Sequence, residues 1–385
     1  MESQDRPLPD PKSIVECFDG MPDPRMDRTR RHKLGDILVI GLCSTIAVGE
    51  NFSDMAIFGR AREDWLRTFL ELPNGIPSRD TFNRVFSAID PDAFLDCFVR
   101  WVRGICPALG DETVAIDGKA LRRALDDGAT IPYIVSAWAS RNGLALGQVK
   151  VDDKSNEITA IPVLLDALDL DGCTVTLDAM GCQKDIAANI IDKHAEYVLA
   201  LKGNQGNAHA EVEEFFADAV PPCATRCADT ADQEAMDFLQ TVGKDHGRVE
   251  TRRYWQTTDI AWFQDKGLWK GLGSFGMVEA IRTVKGKSSI ERRYYLSSLP
   301  LGAKRFAEAV REHWGVENQL HWCLDVTFRE DDSRARTGNA AQNLATLRRI
   351  ALNLVKKNPR EKVSQRQRRQ LAAFDTRFLE QLLGI

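Results

Sequence analysis

The stretch Val114-Ala115-Ile116-Asp117-Gly118-Lys119 is a short apolar run that ends on an aspartate and meets a glycine at once. A second run of the same kind, Val175-Thr176-Leu177-Asp178-Ala179, follows later in the chain. Short apolar, β-branched runs bounded by turn residues are typical of buried parallel strands. In open α/β sheets, functional groups gather beyond the carboxyl ends of such strands. We therefore expect Asp117 and Asp178 to lie together at one edge of a buried sheet.

Two carboxylates at one edge of a buried sheet repel each other. Unit charges about 4 Å apart repel by roughly 4 kcal/mol at an effective dielectric constant of about 20. A divalent cation between the carboxylates would turn this repulsion into attraction, and all-oxygen ligands favour a hard ion such as Mg²⁺ or Mn²⁺. The alternative is that the two aspartates cap unrelated turns. The two runs alone do not separate these interpretations.

A third acid comes from a helix that the sequence predicts from Ala303 to about Arg329. At 100° per residue, Glu317 falls at the centre of an apolar stripe, where an ionised carboxylate is costly unless it is paired or bound to metal. Asp117, Asp178 and Glu317 are therefore the candidate metal ligands and catalytic residues. The open alternative is that Gly315 breaks the helix and Glu317 makes an ordinary internal ion pair. The stripe consists of Phe306, Val310, Leu320, Leu324 and Phe328.

Longer motifs around these acids occur in a fixed order along the chain. Together they resemble the insertion-sequence transposases of the DDE type, specifically the H-repeat-associated group, and the resemblance covers nearly the whole chain. The motifs are Asp117-Gly118-Lys119, Leu177-Asp178-Ala179-Met180-Gly181-Cys182-Gln183, Leu201-Lys202-Gly203-Asn204-Gln205, His313-Trp314-Gly315-Val316-Glu317-Asn318 and His321-Trp322-Cys323-Leu324-Asp325-Val326.

This resemblance implies a DNA transposase with an RNase H-like core, in which the three acids named above form the catalytic triad. It implies metal-dependent cleavage at the ends of an insertion sequence and strand transfer into target DNA. The expected partners are double-stranded DNA and further copies of the chain, in a homodimer or larger assembly. Many relatives place Tyr, Arg and Lys around the catalytic Glu, where this chain has Val310, His313 and Leu324. The phosphate contacts of those relatives are therefore not carried over.

Length and composition set outer limits on the class of protein. A chain of 385 residues exceeds the usual size of a single core, so two or more units are expected. A composition of 43% hydrophobic and 28% charged residues is typical of a globular protein. The net charge of −5 argues against a simple cationic DNA coat, although local Lys and Arg clusters still bind phosphate. We expect a cytoplasmic protein without membrane contact, because the longest apolar run, Ile37 to Val48, is too short to span a bilayer.

The predicted fold is an α/β RNase H-like mixed sheet flanked by helices. We expect a helical N-terminal domain over residues 1–108 that binds DNA ends. A catalytic domain over 109–340 would follow, with a β-rich insertion at about 207–299, and then a basic helical segment over 341–385. The predicted order β-β-β-α-β-α-β after Thr113 is that of an RNase H-like layer. Trp255, Trp262 and Trp269 lie in the insertion, where core packing is favoured over stacking on a DNA base.

Candidate DNA contacts come from three places in the chain. The first pair follows a Ser N-cap on a short helix and would face DNA as in a helix-turn-helix reader. The second pair follows a predicted strand near the triad and would contact the phosphodiester. The third group belongs to a dense, one-signed cluster, and the arginines at 348 and 349 before it are expected to face outward. For each group, the alternative is an exposed or purely structural role. The residues are Arg79 and Asn83, then Lys202 and Gln205, then Arg366, Arg368 and Arg369.

Two rival functions remain at this level. A metal-dependent DNA nuclease would cut DNA without strand transfer and would use the same site. An inactive DNA-binding repressor would need no acid in an apolar stripe. The sequence does not identify the end sequence, the target or the route of second-strand cleavage.

Overall fold

The computed structural model describes residues 13–106, 109–124, 132–151, 157–220, 235–245, 248–284, 287–358 and 362–385. Helices dominate both ends of the chain, and strands dominate its middle. The helices are α1 (Ile14–Asp19), α2 (Leu34–Ile46), α3 (Phe52–Ala61), α4 (Glu63–Leu66), α5 (Arg79–Ala88), α6 (Pro91–Ile105), α7 (Glu157–Ala167), α8 (Lys184–Asp192), α9 (Gly206–Ala219), α10 (Ala303–Gly315), α11 (Trp322–Val326), α12 (Ala340–Lys357), α13 (Gln365–Phe374) and α14 (Thr376–Leu383). The strands are β1 (Thr113–Ala120), β2 (Tyr133–Ala139), β3 (Leu144–Val151), β4 (Thr174–Leu177), β5 (Glu196–Leu201), β6 (Met236–Asp245), β7 (Arg248–Thr257), β8 (Ser274–Val284) and β9 (Lys287–Ser297).

The described strands form one mixed sheet in the order β3-β2-β1-β4-β5-β9-β8-β7-β6. Strands β1, β4 and β5 run parallel to one another, and the other neighbours in the sheet pair antiparallel. The first four residues of β1 and all four of β4 are buried, as the apolar runs predicted. The predicted hairpin between β2 and β3 is confirmed. Gly143 in its turn has a φ of +66°, a region that favours glycine.

The N-terminal helices begin at side-chain caps that the sequence supplies. Asn51 and Asp54 form a capping box at α3, and the Ser78 hydroxyl accepts from the backbone N–H of Thr81 at α5. Helix α12 packs against α2, α5 and α6 and also against β3. One hydrophobic core therefore runs from the N-terminal helices into the sheet. The boundary at residue 108 stays a prediction.

The predicted long helix before and after Glu317 is confirmed in outline. Helices α10 and α11 are joined without a break by a π-helical turn over Val316–His321. The five apolar residues of the predicted stripe are buried. Glu317 itself is exposed, so its predicted place at the centre of a buried stripe is wrong. The wider π turn breaks the 100° spacing on which that prediction rested, and π turns of this kind are frequent at functional sites.

The C-terminal segment is part of the core, which corrects its interpretation as a basic tail. Arg348 and Arg349 are 3% and 0% exposed, so the expectation that they face outward is wrong. Arg368 and Arg369, at 7% and 3% exposure, are also buried. Both guanidinium groups donate to backbone carbonyl oxygens. Arg368 donates to Val355, and Arg369 donates to Thr327 and Thr45. Buried guanidinium groups that satisfy carbonyl oxygens are not free to bind phosphate.

The aromatic residues of the β-rich region pack into the protein. Trp255 and Trp269 are 0% and 2% exposed, and the ring of Trp262 stacks on Phe215 at a centroid distance of 4.8 Å. Core packing, the favoured interpretation of these tryptophans, fits all three. Among the described helices, none is both long and apolar enough to cross a membrane.

Candidate active site

The parallel pairing of β1 and β4 places the two candidate aspartates side by side. Ile116 is paired with Leu177; Asp117 is the next residue of β1, and Asp178 is the first residue after β4. Helix α10 packs across β1, β4 and β5, and the π turn that follows it carries Glu317. The sequence therefore folds three distant acids toward one edge of the sheet.

Asp117, Asp178 and Glu317 all line one cavity of about 300 Å³, which is the candidate catalytic cavity. Basic and aromatic side chains line the same cavity, so it combines a carboxylate cluster with groups that attract anions. The exposed Lys202 is among them, which agrees with its predicted place near the triad. The other basic and aromatic residues of the lining are His209, Arg292, Arg293, Tyr294, Tyr295, His313 and Trp314.

The cavity disfavours the ionised form of Asp117. Burial, together with the charges of Asp178, Glu317 and Glu157, raises the pKa of Asp117 to about 7, and a hydrogen bond from the Gly118 N–H opposes this rise. Asp178 is held differently, because its Oδ1 accepts from the backbone N–H groups of Met180 and Gly181 at 3.0 and 3.4 Å. In the absence of a cation, the environment of Asp117 thus disfavours its ionised form near neutral pH.

Glu157 is an acid near the site that the sequence reasoning missed. It is the first residue of α7 and is 6% exposed. A Cβ atom placed on Gly118 would lie 2.5 Å from Glu157 Oε1, so the absence of a side chain at residue 118 leaves room for this carboxylate over β1. The glycine directly after Asp117 was the signal in the sequence for such a close approach.

Two histidines flank the acids as neutral rings. His321 Nδ1 lies 3.5 Å from Asp117 Oδ2, and burial, with Arg349 and Lys119 nearby, lowers the His321 pKa to about 3. Burial lowers the pKa of His313 to about 4, and its Nδ1 lies 2.9 Å from the hydroxyl of Thr176 on β4. Neither ring carries charge at neutral pH, so neither neutralises the carboxylates.

Lys119 connects the segment that follows Glu317 to β1, the strand that carries Asp117. It lies two residues after Asp117 on the same face of β1, and its side chain is 8% exposed. Its Nζ lies 2.7 Å from a carboxylate oxygen of both Asp325 and Asp331, and 3.4 Å from Glu330 Oε2. These three acids follow the π turn, so Lys119 fixes the segment after Glu317 against β1.

A second buried cation completes this ion cluster. Arg349 Nη1 lies 3.0 Å from Glu330 Oε1, and both side chains are 0% exposed. Arg349 also donates to the hydroxyl of Ser136, which pairs with Asp117 across β1 and β2. Burial opposes ionisation of Glu330, but the charges of Arg349 and Lys119 hold its pKa down to about 2. Through Arg349 and Glu330, the cluster therefore connects Ser136, which lies opposite Asp117, with the segment after Glu317.

Gln205 is used inside the protein rather than at its surface. Its amide donates to the carbonyl oxygen of Cys182 at 2.9 Å, and the neighbouring Asn204 donates to the carbonyl oxygen of Ala179 at 2.6 Å. Both bonds hold the turn that follows Asp178. This favours a structural role for Gln205 over its predicted contact with DNA.

Arg79 and Asn83 lie on α5 and line a separate groove of about 660 Å³. The opposite wall is the segment around Arg329 to Thr337, which follows α11. The Arg79 side chain is 69% exposed. The remaining candidate, Arg366, is exposed on α13.

The three acids suit a hard cation in chemistry but do not form a closed ligand set as they stand. Within the described ranges, no group of three or more His, Cys, Asp or Glu side chains is arranged to hold a metal ion. The raised pKa of Asp117 reflects its burial first and then repulsion by Asp178 and Glu317, and a divalent cation would oppose both effects. Carboxylate oxygens are the donors that Mg²⁺ and Mn²⁺ accept, so the chemistry of Asp117, Asp178 and Glu317, rather than their present arrangement, suits such an ion.

Comparison with known families shows to which family the chain belongs. Residues 110–354 match the family model described as "Transposase DDE domain", and residues 15–102 match one described as "DDE_Tnp_1-associated". The chain therefore belongs to the family of transposases with a DDE domain.

Full-length relatives give the same assignment. The chain is 40% identical to "Putative transposase YncI" of Escherichia coli O157:H7, over 97% of this chain and 95% of the relative. It is 38% identical to "H repeat-associated putative transposase YhhI" of Escherichia coli strain K12, over 97% of this chain and 98% of the relative. Among solved structures, a chain of a piggyBac transposase synaptic complex with hairpin DNA aligns over 99% of this chain and 82% of its own length. The two chains are 12% identical, and the TM-score is 0.44. The family assignment rests on the sequence matches.

Proposed function

We propose that this protein is an active DNA transposase that cleaves the ends of an insertion sequence and joins the freed strand to target DNA. The observation that carries the proposal is the convergence of Asp117, Asp178 and Glu317 on one cavity that Lys202 and two arginines also line. The order β3-β2-β1-β4-β5, with β2 antiparallel to β1, supports an RNase H-like core. Membership of the transposase family supports the same reaction.

The proposed chemistry is phosphoryl transfer without a covalent protein–DNA intermediate. Mg²⁺ ions, or Mn²⁺ ions in their place, would be held by the three acids and would supply charge to stabilise the attacking and leaving oxygens of an in-line displacement. Water is the nucleophile for cleavage and a 3′-hydroxyl is the nucleophile for joining, so one site serves both steps. Lys202, Arg292 and Arg293 provide positive charge for the phosphodiester at the cavity. Joining two ends requires copies of the chain assembled on DNA, and we propose a homodimer or larger.

Metal binding should strengthen as the pH rises through about 7. The raised pKa of Asp117 means that a proton occupies a proposed ligand below that pH, and metal and proton compete for it. We expect Mn²⁺ affinity, measured by electron paramagnetic resonance without DNA, to rise by up to about tenfold per pH unit below 7 and to level off above it. Equal affinities at pH 6 and pH 8 would exclude Asp117 as a ligand with this pKa.

Arg79 and Asn83 are proposed to read the element's own ends from the groove beside α5. The substitutions Arg79→Ala and Asn83→Ala should each weaken binding to the DNA that flanks the gene by about five- to a hundredfold, because base contacts contribute about 1–3 kcal/mol each. Binding to random DNA should change far less. Competition assays with both DNAs measure this difference.

Arg84→Ala is the matched control, since Arg84 is an exposed residue of the same helix that does not line the groove. An equal loss of affinity for flanking and random DNA in the Arg79→Ala and Asn83→Ala proteins would refute sequence reading by α5.

A further inference from the structure

We propose that a groove between the β-rich region and α10 binds a single strand of DNA next to the phosphate that reacts. This arginine groove is defined by Arg252, Arg282 and Arg293 from the strands, and by Arg311 and Trp314 from α10. The proposal rests on the proposed function, because it names the form of DNA that the catalytic cavity receives.

The register of β7, β8 and β9 explains why the arginines share one face. Across these strands Glu250 pairs with Arg282, and two residues along β7, Arg252 lies in the row that contains Ala280 and Glu291. Arg293 lies one such step further along β9. Side chains two apart on a strand point to the same side, and this side faces α10.

The groove carries an excess of positive charge. Four arginines line it against two glutamates, Glu250 and Glu291. Arg252 lies 2.9 Å from Glu250, Arg293 lies 2.9 Å from Glu291, and Arg282 approaches Glu250 only to 3.8 Å. The glutamates order the guanidinium groups without cancelling their charge, so the groove suits a polyanion.

The arginine groove lies next to the catalytic cavity, and the two share part of their walls. Glu291, Arg293, Tyr295, Val310 and Trp314 line both spaces. A chain of phosphates that follows the arginines therefore arrives at the three carboxylates. The positive groove would hold the flanking phosphates while the acidic cavity holds the one that reacts.

The aromatic content of the groove favours a single strand, whose bases are free to stack. A volume of about 570 Å³ lies in the range of pockets for small molecules and suits nucleotide-sized groups. The Arg293 guanidinium lies over the Trp314 ring at 5.2 Å from its centroid. Bases of unpaired strands stack on such tryptophan and arginine surfaces with little sequence preference.

Binding to tailed DNA tests this inference. Two probes are needed, a short blunt duplex and the same duplex with an unpaired thymidine tail, with affinities measured by fluorescence anisotropy in Ca²⁺. We expect the wild-type protein to bind the tailed probe about tenfold more tightly, the typical effect of stacking one base. Trp314→Ala should reduce this preference to less than about twofold, whereas Trp314→Phe should keep most of it.

Arg282→Gln adds a test at a position that does not line the catalytic cavity. It should weaken binding of the tailed probe and lower its salt dependence by about one phosphate contact, with little effect on the blunt probe. The matched control is Arg100→Gln on α6, where Arg100 pairs with Asp96 at 3.0 Å and lines neither space. Circular dichroism confirms that each variant is folded.

Two results would overturn the inference: no tail preference in the wild-type protein, or an undiminished preference in both Trp314→Ala and Arg282→Gln. A parallel cleavage assay on the DNA that flanks the gene separates this failure from that of the proposed function. Cleavage by a wild-type protein without tail preference rejects the groove alone. A protein that neither cleaves nor binds DNA rejects both.

Discussion

Asp117→Asn, Asp178→Asn and Glu317→Gln should each reduce cleavage of flanking DNA by at least about a thousandfold. Each change keeps nearly the same shape but removes a negative charge that the proposed metal ions would need for binding at this site. Folding should survive, because each substitution removes one member of a group of like charges around Asp117. DNA binding in Ca²⁺ should stay within a few-fold of the wild-type value. Gel assays of cleavage and anisotropy assays of binding measure the two effects.

Glu312→Gln is the matched control for these variants. Glu312 lies on α10 beside the catalytic turn but pairs with Arg141 at 3.1 Å and does not line the catalytic cavity. Its substitution should leave cleavage near the wild-type level. Near-normal cleavage by Glu317→Gln would instead transfer the third position to another acid, and Glu157 over Gly118 would be the next to test.

The charge of Asp117 should also cost stability in the metal-free protein. A carboxyl whose folded pKa is raised to about 7 binds more protons when folded than when unfolded, so stability falls as the pH rises from about 4 to 7. Asp117→Asn should therefore unfold at a higher temperature than the wild type at pH 8 in a chelator. The gain is at most about 4 kcal/mol, because one pKa unit corresponds to about 1.4 kcal/mol.

Arg349→Met should lower the free energy of unfolding by about 3–5 kcal/mol, since it leaves the buried carboxylate of Glu330 without its main partner. Both side chains of this pair are 0% exposed, and Arg349 also supports Ser136 opposite Asp117. Urea denaturation followed by circular dichroism measures the loss. Cleavage by the folded fraction should fall too, because the pair links the strand of Asp117 to the segment after Glu317.

The double variant Arg349→Met/Glu330→Gln should recover part of the lost stability, because it removes the unpaired charge. Arg67→Gln is the exposed control. Arg67 pairs with Glu63 at 2.6 Å on the surface of the N-terminal helices, where such pairs contribute at most about 1 kcal/mol. A loss no larger for Arg349→Met than for Arg67→Gln would show that the buried cluster does not hold the fold together.

The parts of the site that the sequence predicted well are those fixed by local patterns. Asp117 and Asp178 end short apolar runs, and parallel pairing of those runs brings them to one edge of the sheet. Helical periodicity also indicates Glu317, but it places this residue in a buried stripe, whereas the structure leaves it exposed. Helical periodicity assumes a constant 100° per residue, and a π turn over Val316–His321 is invisible to it.

The parts that the sequence did not predict depend on distant partners. Lys119 and Arg349 are charged residues that sequence patterns assign to the surface, yet each is buried among acids or hydroxyls from other segments. Arg368 and Arg369 look like phosphate contacts in a basic cluster, but carbonyl oxygens of α12, α2 and the segment after α11 occupy them. Charge density along the chain carries no information about such acceptors.

The most direct test of the central claim is incubation of the purified protein with its flanking DNA and Mg²⁺, followed by mapping of every broken and newly joined phosphodiester bond. The proposed function predicts breaks at the element boundaries that leave 3′-hydroxyl ends, and products in which those ends are joined to a second DNA. Breaks without joined products would indicate a nuclease. Tight binding to the ends with no break, by a protein whose triad is intact, would indicate a repressor and would contradict the account.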